Sequence, residues 1–185
     1  MLPNPPMVLL LLKAQIMKRR LLPLLVMACM TTTLAAQDTT MVVTVKGNVQ
    51  KMMDATCTGD YRTVLDMTYP KVLEMMGGKE AALKQIETAM NAIKGQGITF
   101  KVKEVNTPTV MKSGKEFYRV TPYALLMTVP GKKITLSSAV VGVSSDEGKS
   151  WKYINLNEKG EKGIREMLPQ LPAEMKIPKQ EQKVE

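Results

Sequence analysis

The sequence predicts an α+β fold, with N-terminal helices packed on a curved antiparallel sheet of about four strands. Up to Gly97 the apolar residues recur every three to four positions, and from Ile98 onward they recur at every second position. Between the later apolar stretches, Pro130-Gly131 and Ser145-Asp146-Glu147-Gly148 leave room only for tight turns, so successive strands pair antiparallel. One α+β domain is expected over 37–157, after an upstream segment and export signal at 1–36 and before a polar, proline-bearing tail at 158–185 that should be loosely held.

A first helix is read from about Thr40 to Thr58. VVTVKGNVQKMMDATC could open as a strand, but Val45, Val49, Met52 and Met53 fall at helical spacing, with Gly47 and Asn48 weighing against it. Gly59-Asp60 then makes a corner, with Asp60 as N-cap of the next turn. Pro70 divides the following apolar stretch into two short helices, because proline lacks a donor and restricts its predecessor. Lys79 to Lys94 is the clearest helix, with Ala82, Leu83, Ile86, Ala89, Met90 and Ile93 on one stripe and Gly95-Gln96-Gly97 as the stop. That stripe needs a partner surface, expected from the tail of the chain. ITFKVKEV alternates as a strand with one wet face. Lys115 to Val129 reads as a long strand, bent, bulged or at an edge where Pro122 interrupts it. Lys133 to Ser144 and Ser150 to Leu156 complete the four, and a short helix is expected from Ile164 to Leu168.

Composition bounds the function. Of 26 basic and 17 acidic residues, only Lys13, Lys18, Arg19 and Arg20 precede Gln37, leaving a formal +5 on the part after the leader. These charges are interspersed, unlike a nucleic-acid-binding stripe, and no nucleic-acid partner is expected. Lys18-Arg19-Arg20 followed by LLPLLVMACMTTTLAA has the basic, apolar and small-residue regions of an export signal, so Met17 is read as the true start. Cleavage near Ala36 or Gln37 would give a periplasmic or secreted product. Alternatively, Val26-Met27-Ala28-Cys29 resembles a lipobox, with lipidation at Cys29 and attachment to the cell envelope; membrane contact is expected only in that case. Beyond the leader only Cys57 remains, so no internal disulfide is available, and without histidine a Cys-His pair is impossible. The sequence has no Walker-type phosphate loop, zinc-protease helix or nucleophile-elbow motif. Neither metal nor cofactor is expected. Asp54, Asp60 and Asp66 are six apart, too widely spaced for a calcium loop. Met52, Met53, Met67, Met75, Met76 and Met90 would serve either as core or as the lining of an adaptable ligand pocket.

The stretch SSDEGKSW resembles the Asp-box of sialidases and related propellers, where the box braces a hairpin and takes no part in catalysis. Carried over, the resemblance gives Ser144, Asp146, Gly148 and Trp151 structural roles in a turn. A single copy in a chain of this length does not make a propeller.

The order of elements, with Gly59-Asp60-Tyr61 at the corner before the second helix, resembles the nuclear-transport-factor-2-like group of the cystatin-like superfamily, and in particular small exported proteins of Bacteroidetes-type bacteria. The resemblance covers about Thr40 to Leu156. It implies a cone with an apolar pocket between helices and sheet, and a homodimer through the outer sheet face. Asp66, Tyr69, Tyr118 and Tyr123 are the pocket candidates, each with a blander alternative as a surface or rim residue. None is assigned as catalytic. The favoured function is a non-enzymatic exported module that binds a small apolar ligand or a protein partner. A small isomerase or cyclase using Asp and Tyr, and a structural envelope lipoprotein, are the alternatives.

Overall fold

The computed structural model describes residues 39–156 and 159–185. Val42–Glu185 forms one compact unit, which carries the sheet and all but the first residues of the described helices. The export signal, its cleavage sites and Cys29 lie outside the described residues.

Five helices and a six-stranded antiparallel sheet are present among the described residues, an α+β architecture. Helix α1 covers 39–58, so helical spacing prevails over strand propensity in VVTVKG. Asp60 caps α2 (Tyr61–Met67), accepting from Thr63 N at 3.2 Å. Pro70 occupies the first turn of α3 (Pro70–Met75), where its missing donor costs nothing. Helix α4 (Lys79–Gly95) buries Ala82 and Leu83 against Tyr61 and Leu65 of α2, with Leu73, Met76, Ile86 and Met90 around them. Its apolar stripe is thus matched by its own helical neighbours α2 and α3, which corrects the expectation that later parts of the chain supply that surface.

The sheet is four strands wide but built from six, where about four were expected. Its centre is a long hairpin, β3 (Glu116–Val129) and β4 (Lys132–Ser144), paired without a register shift from Phe117↔Ser144 to Val129↔Lys132. Two short strands lie end to end along each outer side. β1 (Thr99–Val105) and β2 (Thr109–Ser113) flank β3, while β5 (Lys152–Asn155) and β6 (Glu181–Val184) flank β4.

This arrangement accounts for Pro122. It pairs with Ala139 inside an unbroken β3–β4 register, so β3 is neither bulged there nor an edge strand. The interruption lies instead in its neighbour. β2 pairs as far as Val120 and β1 begins at Tyr123, so the residue without a donor sits where the outer strand is broken, its carbonyl accepting from Asn106 N at 2.9 Å.

The C-terminal region is also corrected. Helix α5 (Gly160–Met167) and the proline-bearing segment after it bury Ile164, Leu168, Leu171, Met175 and Ile177 against Tyr118, Val120, Val141 and Ile154 of the sheet. Arg165 holds this non-repetitive segment in place by donating to the carbonyls of Pro172 at 3.2 Å and Met175 at 2.9 Å, while its Nε donates to Glu161 at 2.8 Å. The tail then returns as β6, and Gln180 bridges the gap between β5 and β6 through Ser138 and the Leu156 carbonyl. A segment read as loose is therefore core and sheet edge.

Opposite that cluster, the other face of the sheet carries Arg119, Thr121, Val140, Gly142 and Tyr153. Gly142 is fixed by close packing, because a Cβ there would come within 3.0 Å of Tyr153 Cε1 and 3.3 Å of Trp151 Cε3.

Candidate functional site

The α2–α3 corner docks on the free edge of β5. Thr68 forms a parallel bridge to Tyr153, and Tyr69 N donates to the Tyr153 carbonyl at 2.9 Å. This covers an edge whose backbone groups would otherwise be unpaired, and it sets the helices beside the strand. Between them lies an apolar pocket of about 370 Å³, within the roughly 300–1,000 Å³ usual for small-molecule sites.

Each wall comes from a different element. Met52 belongs to α1, Val64 and Leu65 to α2, Val72 and Met75 to α3, Ile86 to α4, Tyr153, Ile154 and Asn155 to β5, and Met167 to α5, with Met76 and Thr68 between helices. Four of these are methionines, whose unbranched thioethers adapt to irregular shapes. Among the described residues, no charged side chain lines the pocket. Thr68 turns its hydroxyl back to the Val64 carbonyl at 2.8 Å. Tyr153 is fully buried, and burial pushes its phenol up to about 12, so it stays neutral at physiological pH. Its hydroxyl closes no hydrogen bond, with Asn48 of α1 and Arg119 acting on it from nearby. Such a site can hold hydrocarbon; it offers no poised acid or base.

The four pocket candidates from the sequence are not brought together. Asp66 is exposed on α2 and paired with Lys79, which holds its carboxyl below the usual range. Its backbone carbonyl also accepts from Lys152 Nζ at 2.6 Å. Tyr69 packs on the cluster formed by the sheet and C-terminal region. Tyr118 is fully buried in that cluster and donates to Glu116; burial first, and the Glu116 carboxylate second, push its phenol upward. Tyr123 lies on the opposite face of β3, in a polar cleft with Glu104, Asn106, Ser137 and Glu181, its phenol raised by burial. None of the four lines the apolar pocket. Cys57, half-buried, has its thiol pushed up by burial and by Asp54, so it is a poor nucleophile at neutral pH.

Of the methionines singled out, Met52, Met75 and Met76 do line the pocket, and Met90 packs against the α2–α4 cluster. Met167 and Tyr153 were missed. Met167 falls within the short helix expected from Ile164 to Leu168, three residues after Ile164, but nothing local to that helix says which wall it faces.

The hairpin SSDEGKSW is a closed hydrogen-bonded turn. Asp146 Oδ1 accepts from Ser144 Oγ at 2.8 Å and from Ser150 N at 2.9 Å, and its Oδ2 accepts from Ser150 Oγ at 2.6 Å. Gly148 N donates to Ser144 Oγ at 2.9 Å, and Trp151 Nε1 donates to the Gly148 carbonyl at 3.0 Å. The turn takes Glu147 and Gly148 into the left-handed region, at φ of 60° and 85°, a shape that disfavours side chains and that these bonds hold. Trp151 lies beneath it, with the buried Arg119 guanidinium 5.7 Å from its ring. Every side-chain oxygen of Asp146 is engaged within the turn, which leaves the carboxylate a structural task.

Among the described residues no group of acidic or cysteine side chains is placed to hold a metal ion, and no helix is long and apolar enough to cross a membrane. No protein-family model, curated protein or solved structure matches the chain.

Proposed function

We propose that the chain is an exported, non-enzymatic module that binds a small apolar ligand in the methionine-lined pocket between its helices and β5. The observation that carries this reading is the lining itself: about 370 Å³ bounded chiefly by aliphatic and thioether groups, with Thr68, Tyr153 and Asn155 the polar members and no charged side chain among the described residues. A pocket of this composition gains from excluding water around hydrocarbon and loses by admitting a naked charge. The nuclear-transport-factor-2-like cone remains the finer fold proposed for these helices and sheet, supported by the order of elements and the Gly59-Asp60 corner. Asp66 faces solvent with Lys79, so geometry gives the Asp-Tyr isomerase alternative no support.

Methionine-methyl NMR on the purified full chain tests ligand binding, with decanol as probe. Saturable shifts confined to Met52, Met75, Met76 and Met167, with Met175 unmoved, are expected. Shifts spread over all methionines, or none, would sink the reading. Export with cleavage near Ala36 or Gln37 is proposed alongside it, on the strength of the leader pattern. The intact mass of the exported chain tests that point, since a diacylglycerol on Cys29 would replace the soluble form with the lipid-tethered one.

A further inference from the structure

We infer that the ligand is a single-chain amphiphile with an acidic head, its chain in the methionine-lined pocket and its head on Lys71; this rests on the apolar-ligand reading above. The pocket's lining is chiefly apolar, its polar groups Thr68, Tyr153 and Asn155 are neutral, and no charged side chain among the described residues lines it, so an ionised end of a ligand must reach the rim. Lys71 lies at that rim. It stands on α3 next to Val72 and four residues from Met75, both of which line the pocket. Its ammonium reaches across to α5 and donates to the carbonyl of Met167, another lining residue, at 3.4 Å. Lys71 therefore spans the junction where two walls of the pocket meet.

Four other cations on or beside the elements that wall the pocket are already engaged. Lys79 is paired with Asp66, Lys152 donates to the Asp66 carbonyl, and Lys159 is paired with Glu166. Arg165 is occupied by Glu161 and by the carbonyls of the tail. Lys71, by contrast, has one long bond to a neutral acceptor, and no carboxylate among the described residues pairs with it. An ammonium has three donors, so two are left to meet an anionic head without breaking an existing ion pair. Glu74 stands three residues on in the same helix, and Glu166 precedes Met167 but is paired with Lys159; neither pairs with Lys71. The partial negative charge of the carbonyls ending α5 holds the ammonium at the rim. Met75, 70% exposed beside it, is free to fold over the first carbons of the chain.

The test compares ligands of one chain length on the full chain, below their micellar concentrations: decanol, decanoate, decyl phosphate and decyltrimethylammonium, read by the same methionine methyls. Decanoate or decyl phosphate is expected to bind about two- to five-fold tighter than decanol, the range of a solvent-exposed charge pair, and the better of the two identifies the head as carboxylate or phosphate. Decyltrimethylammonium should bind weakest. Raising the salt concentration should narrow the gap. K71M should abolish the preference while leaving decanol affinity within about two-fold, and K71E should turn the preference toward decyltrimethylammonium. Equal binding of decanol and the acids, or a preference that survives K71M, would overturn the acidic head and leave the apolar pocket standing. Failure of every ligand, decanol included, would remove both.

Discussion

The two ends of the β3–β4 hairpin share one register and are buried very differently. From Tyr118 to Thr121, and across from Val140 to Ser144, the hairpin is buried on both faces. One face packs on α5 and the tail, and the other carries Tyr153 and Gly142, with Asn48 of α1 acting on the Tyr153 hydroxyl. Toward the Pro130-Gly131 turn, Leu125 to Val129 and Thr135 to Ser137 are only half-buried. There a polar network takes over, in which Lys103 Nζ meets Glu185 Oε1 at 2.5 Å and Thr135 Oγ1 at 3.0 Å. The contrast shows that regular pairing sets the sheet's geometry, whereas coverage by segments distant in sequence decides where its stability resides.

The largest effect should therefore come from loosening the covered end. Ile164, with no exposed surface, belongs to the tail cluster, and I164A is expected to cost about 3 kcal/mol, the usual range for emptying a full aliphatic site being roughly 2–5. Urea denaturation of the full chain measures it. The same truncation at the open end, M127A, removes a half-buried side chain and should cost about 1 kcal/mol or less. Equal losses at the two positions would show that the two ends are not energetically distinct, and the contrast would then be one of appearance only.

The same contrast explains what could be read from sequence. Elements governed by local chemistry were legible: the helical period of α1 and α4, the Asp60 cap, the division at Pro70 and the tight turns. Arg119 and Thr121 alternate with Tyr118 and Val120, which in isolation reads as a wet face against a dry one. Both faces are buried because the tail covers one side and leaves Arg119 packed on Trp151 on the other. Nothing within the strand announces a cover supplied some 45 residues later. The tail itself escaped notice because Pro169, Pro172 and Pro178 exclude a regular helix, although Leu168, Leu171, Met175 and Ile177 keep an apolar residue every two to four positions. Half of the pocket was legible for the same reason. Its methionines on α1 and α3 stood out by composition, while Tyr153 and Met167 depended on how β5 and α5 are placed.

The smallest expected effect concerns the turn that closes the covered end. Asp146 has its carboxyl lowered to about 2 from an ordinary 3.8, chiefly by the Ser150 hydroxyl and amide and then by the Ser144 hydroxyl. A carboxyl lowered on folding adds stability above its unfolded value, and that contribution is lost as the pH falls through its folded value. The window for Asp146 thus runs from 3.8 down to about 2. D146N keeps an acceptor at Oδ1 but loses the charge and the Oδ2 bond to Ser150 Oγ, so the variant should melt lower at neutral pH. The gap should then close through the window, as the wild-type carboxyl takes up its proton. Asp60, Asp66 and Glu185 are also lowered, but they are common to both proteins and cancel in the difference. Melting temperatures of the pair across that range are the measurement. A gap that stays constant into strong acid would mean that the turn draws its stability from shape and neutral hydrogen bonds, not from the carboxylate's charge.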